Sequence, residues 1–400
     1  MTIFVTGGTG YIGSYVVTRL LEEHDRRVML LVRAKSRAQA VEKLWNALQL
    51  HMSPERFAAA LPRIDFVQGD LTAPDLGITG AERTRVADTC TSVLHIAASL
   101  NRKSEKECLN ANLRGTLSVI QLARAIAEGR GGLERFSHVS TVVVCGKRQS
   151  ETVLEDTAIE WDRSDYDPYA RTKKFCEHMV RQLLPDVKKT FFRPSIVMGD
   201  SRHPRTTQFD MVRTFCVLAD MPVLPFRGDV RLDIVNADYV GRAIADIHVK
   251  ERPAHEIYHL TGGTKSPTAR TVAESLLSRF PDRRPPRFAP FAERPFGNVM
   301  DRLASLPSGR AAGGQPKVVR QAALIGSLFK VFLPYIVWDT VFDNSRVCAE
   351  LGEEPVDFTR YCGDLYAWGK SVNFKFPYAP LPASAAPSSS SSSEGSSAWA

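Results

Sequence analysis

Apolar residues fall in short, evenly spaced runs through the first half of the chain. Ile3, Phe4 and Val5 open the series, and the runs give expected strands at 2–6, 27–33, 63–67, 91–96, 135–144 and 189–196. Between them the spacing changes: Tyr11, Ile12, Val16, Val17, Leu20 and Leu21 recur at intervals of one helix face. Strands alternating with helices predict an α/β fold built on a doubly wound parallel sheet, with helices on both faces. Beyond residue 200 the rhythm loosens, and Pro and Arg become frequent, as in PDRRPPRFAPFAERP at 281–295. We therefore expect a nucleotide-binding domain over 1–265, with part of a substrate region from about 200, and a smaller C-terminal substrate or lid region over 266–380. The Ser-rich stretch 381–400 offers too little apolar surface to order itself and is expected to be a disordered tail.

The first strand runs directly into TGGTGYIG at residues 6–13. A strand that turns sharply into a helix leaves backbone N–H groups pointing outward at the helix start, where the helix dipole also favours a phosphate. Gly7 suits the tight turn, Gly10 the close approach of a pyrophosphate, and Gly13 the packing of helix on strand. An ordinary glycine turn is the alternative. The second strand ends in Val32-Arg33-Ala34-Lys35-Ser36-Arg37, three cations with no acid. An acid there holds the ribose hydroxyls of NAD; an arginine pairs with a 2′-phosphate. The loop thus points to NADP(H), the alternative being a solvated basic loop.

Composition adds constraints. At 400 residues the chain can bury one large core or two unequal ones, and no internal repeat is apparent. Its seven cysteines are scattered without C-x-x-C pairs or metal-ligand spacing. That argues for a reducing, cytoplasmic setting and against a disulfide framework or a metal site. Met1 leads straight into the first strand, so no cleaved signal peptide is expected. The net charge of +8 suits a polyanionic substrate or an acidic carrier protein and does not by itself imply nucleic acid.

Candidate chemistry sits in DPYARTKKFCEHMV. Tyr169 and Lys173 are four apart and share a helix face, so a cation beside the phenol is expected to lower its pKa. Upstream, FSHVSTVVVCG places Ser140 and Thr141 at the end of an expected strand, the sheet edge where open α/β folds bind ligands.

Taken in order, TGGTGYIG, GDL (69–71), HIAAS (95–99), NLRGT (112–116), VSTVVVCG (139–146), YARTK (169–173) and FRPSIVMGD (192–200) resemble the extended short-chain dehydrogenase/reductase family, over roughly residues 1–265. The resemblance implies a Rossmann domain and a catalytic set of Thr141, Tyr169 and Lys173. It implies that Gly7, Thr9, Gly10, Tyr11, Ile12 and Gly13 hold the dinucleotide phosphates, that Asp70 and Leu71 lie beside the adenine, and that Ala97 and Ala98 line the cofactor. Arg33 and Lys35 would read the 2′-phosphate, Asn112 would support the catalytic helix, and Lys173 would also touch the nicotinamide ribose. LLVRAKSRAQAVEKLWNAL and FVQGDLTAPDLGI resemble the thioester reductase and fatty acyl-CoA reductase branch. His203-Pro204 departs from the usual Thr-Gly of that branch.

This branch implies NADPH-dependent reduction of an acyl thioester, carried by coenzyme A or an acyl carrier protein, to an aldehyde or alcohol. Sugar-nucleotide epimerases or dehydratases and 3β-hydroxysteroid-type dehydrogenases use the same triad. A non-catalytic NADP-sensing protein is the remaining alternative. Phe209, Met211, Phe215 and Leu218, with Leu324, Phe329, Phe332 and Tyr335, are expected to form an apolar acyl channel, with Arg-rich 202–205 and 283–287 nearby. The run 323–338 is interrupted by Gly326, Lys330 and Pro334 and falls short of the ~20 residues needed to cross a bilayer. It reads as a helix over the substrate cleft or, less favoured, as a helix lying on a membrane surface.

Overall fold

The computed structural model describes residues 1–292 and 335–385, with isolated positions at 298, 299, 302, 319 and 333 between them. The expected tail from 386, Leu324, Phe329, Phe332 and most of the 323–338 run lie outside the described residues.

Seven strands form the central sheet: β1 (Thr2–Thr6), β2 (Arg27–Val32), β3 (Ile64–Gln68), β4 (Cys90–His95), β5 (Arg135–Val139), β6 (Lys189–Pro194) and β7 (Ile257–Leu260). Their order is β7-β6-β5-β4-β1-β2-β3, with every neighbouring pair parallel. The expected doubly wound sheet is present. The longer helices are α1 (Tyr11–Glu22), α2 (Arg37–Leu48), α3 (Gly80–Thr89), α4 (Gly115–Glu128), α5 (Pro168–Leu183), α6 (Asp210–Asp220), α7 (Ala237–Val249), α8 (Ala269–Leu276) and α9 (Cys362–Ser371).

Successive strand residues point to opposite faces, and both faces are covered, so the strands are apolar throughout. Ile3, Val5 and Leu30 pack with Val16 and Leu20 of α1 and Val240 and Ile244 of α7. Phe4, Met29 and Val93 pack on the other side with Val86 of α3 and Val119 and Leu122 of α4.

Two expected strands end early. The Val-rich 135–144 run stops at Val139, and Val142–Cys145 forms a 3-10 turn instead. Pairing of β5 with β4 has ended at His138, and beyond it Val142, Val143 and Cys145 pack with Tyr169 and Ala170. Strand 189–196 ends at Pro194, after which Ile196–Val197 pairs separately with Ile234–Val235. β7 was not anticipated.

A second core joins α6, α8 and α9 through Phe215, Leu218, Val272, Leu276, Leu365 and Tyr366. Val347 of the short helix Ser345–Leu351 returns to the sheet core. Within 381–385, expected in the tail, Leu381 packs against the sheet core and Ala385 is buried in it, while Ala383 and Ser384 are exposed; Trp45 Nε1 donates to the carbonyls of Ala379 and Pro380 just before. Among the described residues no helix is long and apolar enough to cross a membrane.

Candidate active site

β1 and β4 are neighbours at the point where the strand order reverses, and a crevice opens there at the carboxyl ends of the strands. Gly7 leaves β1 with φ +77°, and a Cβ on it would lie 2.6 Å from the Ala97 nitrogen. A Cβ on Gly13 would lie 2.0 Å from the Gly7 carbonyl oxygen. Gly10 donates its amide to that same oxygen at 2.9 Å and starts α1 with no side-chain cap. The first-turn amides of α1 are thus left for a ligand. The cleft at this point has a volume of about 990 Å³, and Gly7, Thr9, Gly10, Tyr11, Ile12 and Gly13 line it. A glycine cradle with an uncapped helix start fits a dinucleotide diphosphate.

Arg33, Asp70, Leu71, Ala97 and Ala98 also line the cleft. Burial works against the Asp70 carboxylate, yet hydrogen bonds from Thr72 and the Arg33 charge hold its pKa below the usual range. Arg33 NH1 lies 3.8 Å from Asp70 Oδ2, with its side chain 74 % exposed. Lys35 does not line the cleft; its amide donates to Gln39 Oε1 at 2.6 Å, at the turn into α2. Arg37 lies over the Phe66 ring. Lys43, which the sequence did not single out, reaches the cleft from α2 and donates to the Arg33 carbonyl.

At the other end of the cleft stand Ser140, Thr141, Tyr169 and Lys173. Asp167 caps α5 by accepting the Ala170 amide at 2.8 Å, which sets Tyr169 in the first turn. Asn112, in the π-helical stretch Leu109–Arg114, donates to Thr172 Oγ1 at 3.1 Å and accepts the Ser99 amide at 2.7 Å. It braces α5 between Tyr169 and Lys173. The Tyr169 pKa differs from the expectation: burial pushes it up to about 12, offset in part by Arg102 and by a hydrogen bond with Thr141. Lys173 donates to the Val139 carbonyl at 2.6 Å, and burial lowers its pKa. The expected lowering of the Tyr169 pKa by Lys173 is therefore corrected, because desolvation outweighs the nearby charge.

Residues 5–244 match the model of the NAD-binding male sterility protein family. The chain belongs to that family. Fatty acyl-CoA reductase wat of Drosophila melanogaster is 28% identical over 240 residues, 52% of this chain and 45% of the fly protein. Putative fatty acyl-CoA reductase CG8306 of the same organism is 26% identical over 312 residues, 66% of this chain and 60% of its own. The terminal R domain from the myxalamid PKS-NRPS biosynthetic pathway matches with a TM-score of 0.74 at 25% identity, covering 93% of this chain and 91% of that one. The chain spans about half the length of the curated relatives it matches. The resemblance to extended short-chain dehydrogenase/reductases of the thioester reductase branch is borne out, and the cofactor class is a nicotinamide dinucleotide.

The substrate half of the cleft in this male sterility family member differs from the expected channel. Met211 and Tyr335 line it, joined by Leu232, Ile336 and Phe342. Phe215 and Leu218 are buried in the second core, and Phe209 stacks on Trp368 at 5.5 Å. These three lie on faces of the α6 region that pack against α9 and its surroundings. Neither Arg-rich segment reaches the cleft: Arg202 pairs with Asp200 at 2.7 Å and Arg283 with Asp220. Arg231 and Arg102 line this end instead. Among the described residues no cluster could hold a metal ion.

Proposed function

We propose that the protein is an NADPH-dependent reductase of acyl thioesters, carried by coenzyme A or an acyl carrier protein, yielding an aldehyde or alcohol. The observation that carries this reading is the meeting of Thr141, Tyr169 and Lys173 with the glycine cradle in one cleft. Membership of the thioester reductase branch supports the substrate class.

Gly7, Gly10, Gly13 and the start of α1 would hold the diphosphate, with Asp70 and Leu71 at the adenine and Ala97 and Ala98 along the dinucleotide. Arg33 and Lys43 at the rim supply positive charge for a 2′-phosphate, which supports NADPH over NADH. NADPH, when bound there, would supply the hydride that reduces the thioester carbonyl carbon. Thr141 hydrogen-bonds the oxygen as negative charge develops on it, and Tyr169 donates its proton there. A phenol with its pKa near 12 keeps its proton at neutral pH, as a donor must. Expulsion of the thiol then gives the aldehyde. Lys173 holds α5 against the end of β5 and would meet the nicotinamide ribose.

Tyr169→Phe tests the assignment. The ring packs as before but has no proton to give, so turnover is lost while NADPH binding is kept. Turnover near that of the unmodified protein removes Tyr169 from the chemistry.

A further inference from the structure

A cation from outside its own helix lies over the Tyr169 ring. Arg102 lies in the loop after β4, and its guanidinium carbon is 4.9 Å from the Tyr169 ring centroid and 4.6 Å from that of Tyr335. Asp167 accepts from Arg102 NH1 at 3.1 Å, and the Tyr335 hydroxyl donates to the same carboxylate oxygen at 2.6 Å. Tyr335 is fixed in turn by stacking on Tyr166, with centroids 4.7 Å apart and planes at 15°. The Arg102 and Asp167 side chains are only 21% and 12% exposed, so water screens the cluster weakly.

We propose that Arg102 is the cation that serves Tyr169: clamped between the rings of Tyr169 and Tyr335, its guanidinium stabilises the phenolate left when the phenol gives up its proton. This rests on the reading of Tyr169 as proton donor. In that step the tyrosine O–H bond breaks as an O–H bond forms on the substrate oxygen, and the electron pair stays on the tyrosine. No further reagent is needed.

The groups around the phenol sort by sign. Arg102 favours the phenolate, as does the Thr141 hydrogen bond, while Asp167 and Cys108 oppose it. Lys173 donates to the Val139 carbonyl. Tyr335 stays protonated, because burial raises its pKa. A guanidinium keeps its charge in such surroundings and its flat face suits an aromatic ring. Arg102 is thus a positioning residue acting through Tyr169, and Tyr335 makes the C-terminal region part of the clamp.

The test uses the full chain with difluorotyrosine at position 169, titrated by fluorine NMR without substrate. Arg102→Met raises the midpoint by about one pH unit or more, since an opposite charge this close shifts a pKa by that order. Arg102→Lys brings it most of the way back, and Lys173→Met moves it less than Arg102→Met does. With Tyr169 restored, Arg102→Met lowers kcat by about tenfold, leaves KM for NADPH unchanged and enlarges the solvent isotope effect. If the methionine variant does not fold, Arg102→Gln, which keeps a donor for Asp167, gives the same comparison. A midpoint unmoved by loss of the guanidinium, or moved further by Lys173→Met, overturns the proposal. Because the midpoint is read without substrate, failure of the thioester reading leaves this result standing, and the two failures are told apart.

Discussion

Lys173 donates to the carbonyl oxygen of Val139 across 2.6 Å, tying helix α5 to the end of β5. Both residues line the cleft. The bond fixes where the start of α5 stands relative to the strand end that carries Ser140 and Thr141.

Lys173→Met keeps most of the side-chain volume and removes the donor. The buried carbonyl left behind costs about 1–3 kcal/mol, so the melting temperature falls. Turnover and dinucleotide affinity should fall with it. Affinity equal to that of the unmodified protein would mark Lys173 as a purely structural residue.

Cofactor preference is predicted to follow position in the cleft rather than position in the basic run. Arg33→Ala weakens NADPH by about ten- to hundredfold, because a charge-assisted pair contributes ~1.5–3 kcal/mol, and leaves NADH nearly unchanged. Lys43→Ala acts in the same direction, and Lys35→Ala in neither, since Lys35 stands outside the cleft. Calorimetric titration with both cofactors decides. Equal losses for NADPH and NADH in Arg33→Ala would mean that Arg33 stacks on the adenine without reading the phosphate.

Acid should destabilise the fold through its buried histidines. Burial pushes His51, His95, His248 and His259 down to about 3 and His138 well below its usual value. Unfolded, each charges near 6.5, so between about pH 6.5 and 3 the unfolded chain binds more protons and stability falls as pH falls. Glu155 and Asp233 act oppositely: burial raises them to about 7 and about 6, so the folded chain keeps protons that the unfolded chain loses. Near pH 5 the five histidines less the two carboxyls give a net uptake of about three protons on unfolding. Urea unfolding across pH 4 to 7 measures that slope. A flat profile would show that these imidazoles are not held neutral.

The sheet was legible because a strand covered on both faces is apolar throughout, and Ile3-Phe4-Val5 or Val28 to Val32 cannot be satisfied otherwise. β7 escaped because it is four residues long and carries His259, whose Nδ1 lies 3.0 Å from the Asp343 carbonyl oxygen, a partner no local pattern reveals. The Val142–Cys145 turn reads as strand by propensity, and tertiary packing overrides it. The glycine cradle and the Tyr169/Lys173 pair were legible because each depends on neighbours within a few residues. Lys43 could have been found from its place on α2, ten positions beyond the Arg33 carbonyl it reaches. Arg102 meets Asp167 across 65 positions and belongs to no motif, so only the fold brings it to Tyr169.

Thioester reduction can be read by mixing the purified chain with NADPH and acyl-CoA thioesters of increasing chain length, following NADPH loss and free thiol together. One thiol should be released per acyl group reduced. Apparent affinity should rise with chain length until the apolar half of the cleft is filled, at ~0.8 kcal/mol or less per methylene. NADPH left untouched by every acyl thioester, while a sugar nucleotide or a sterol is turned over, would contradict thioester reduction.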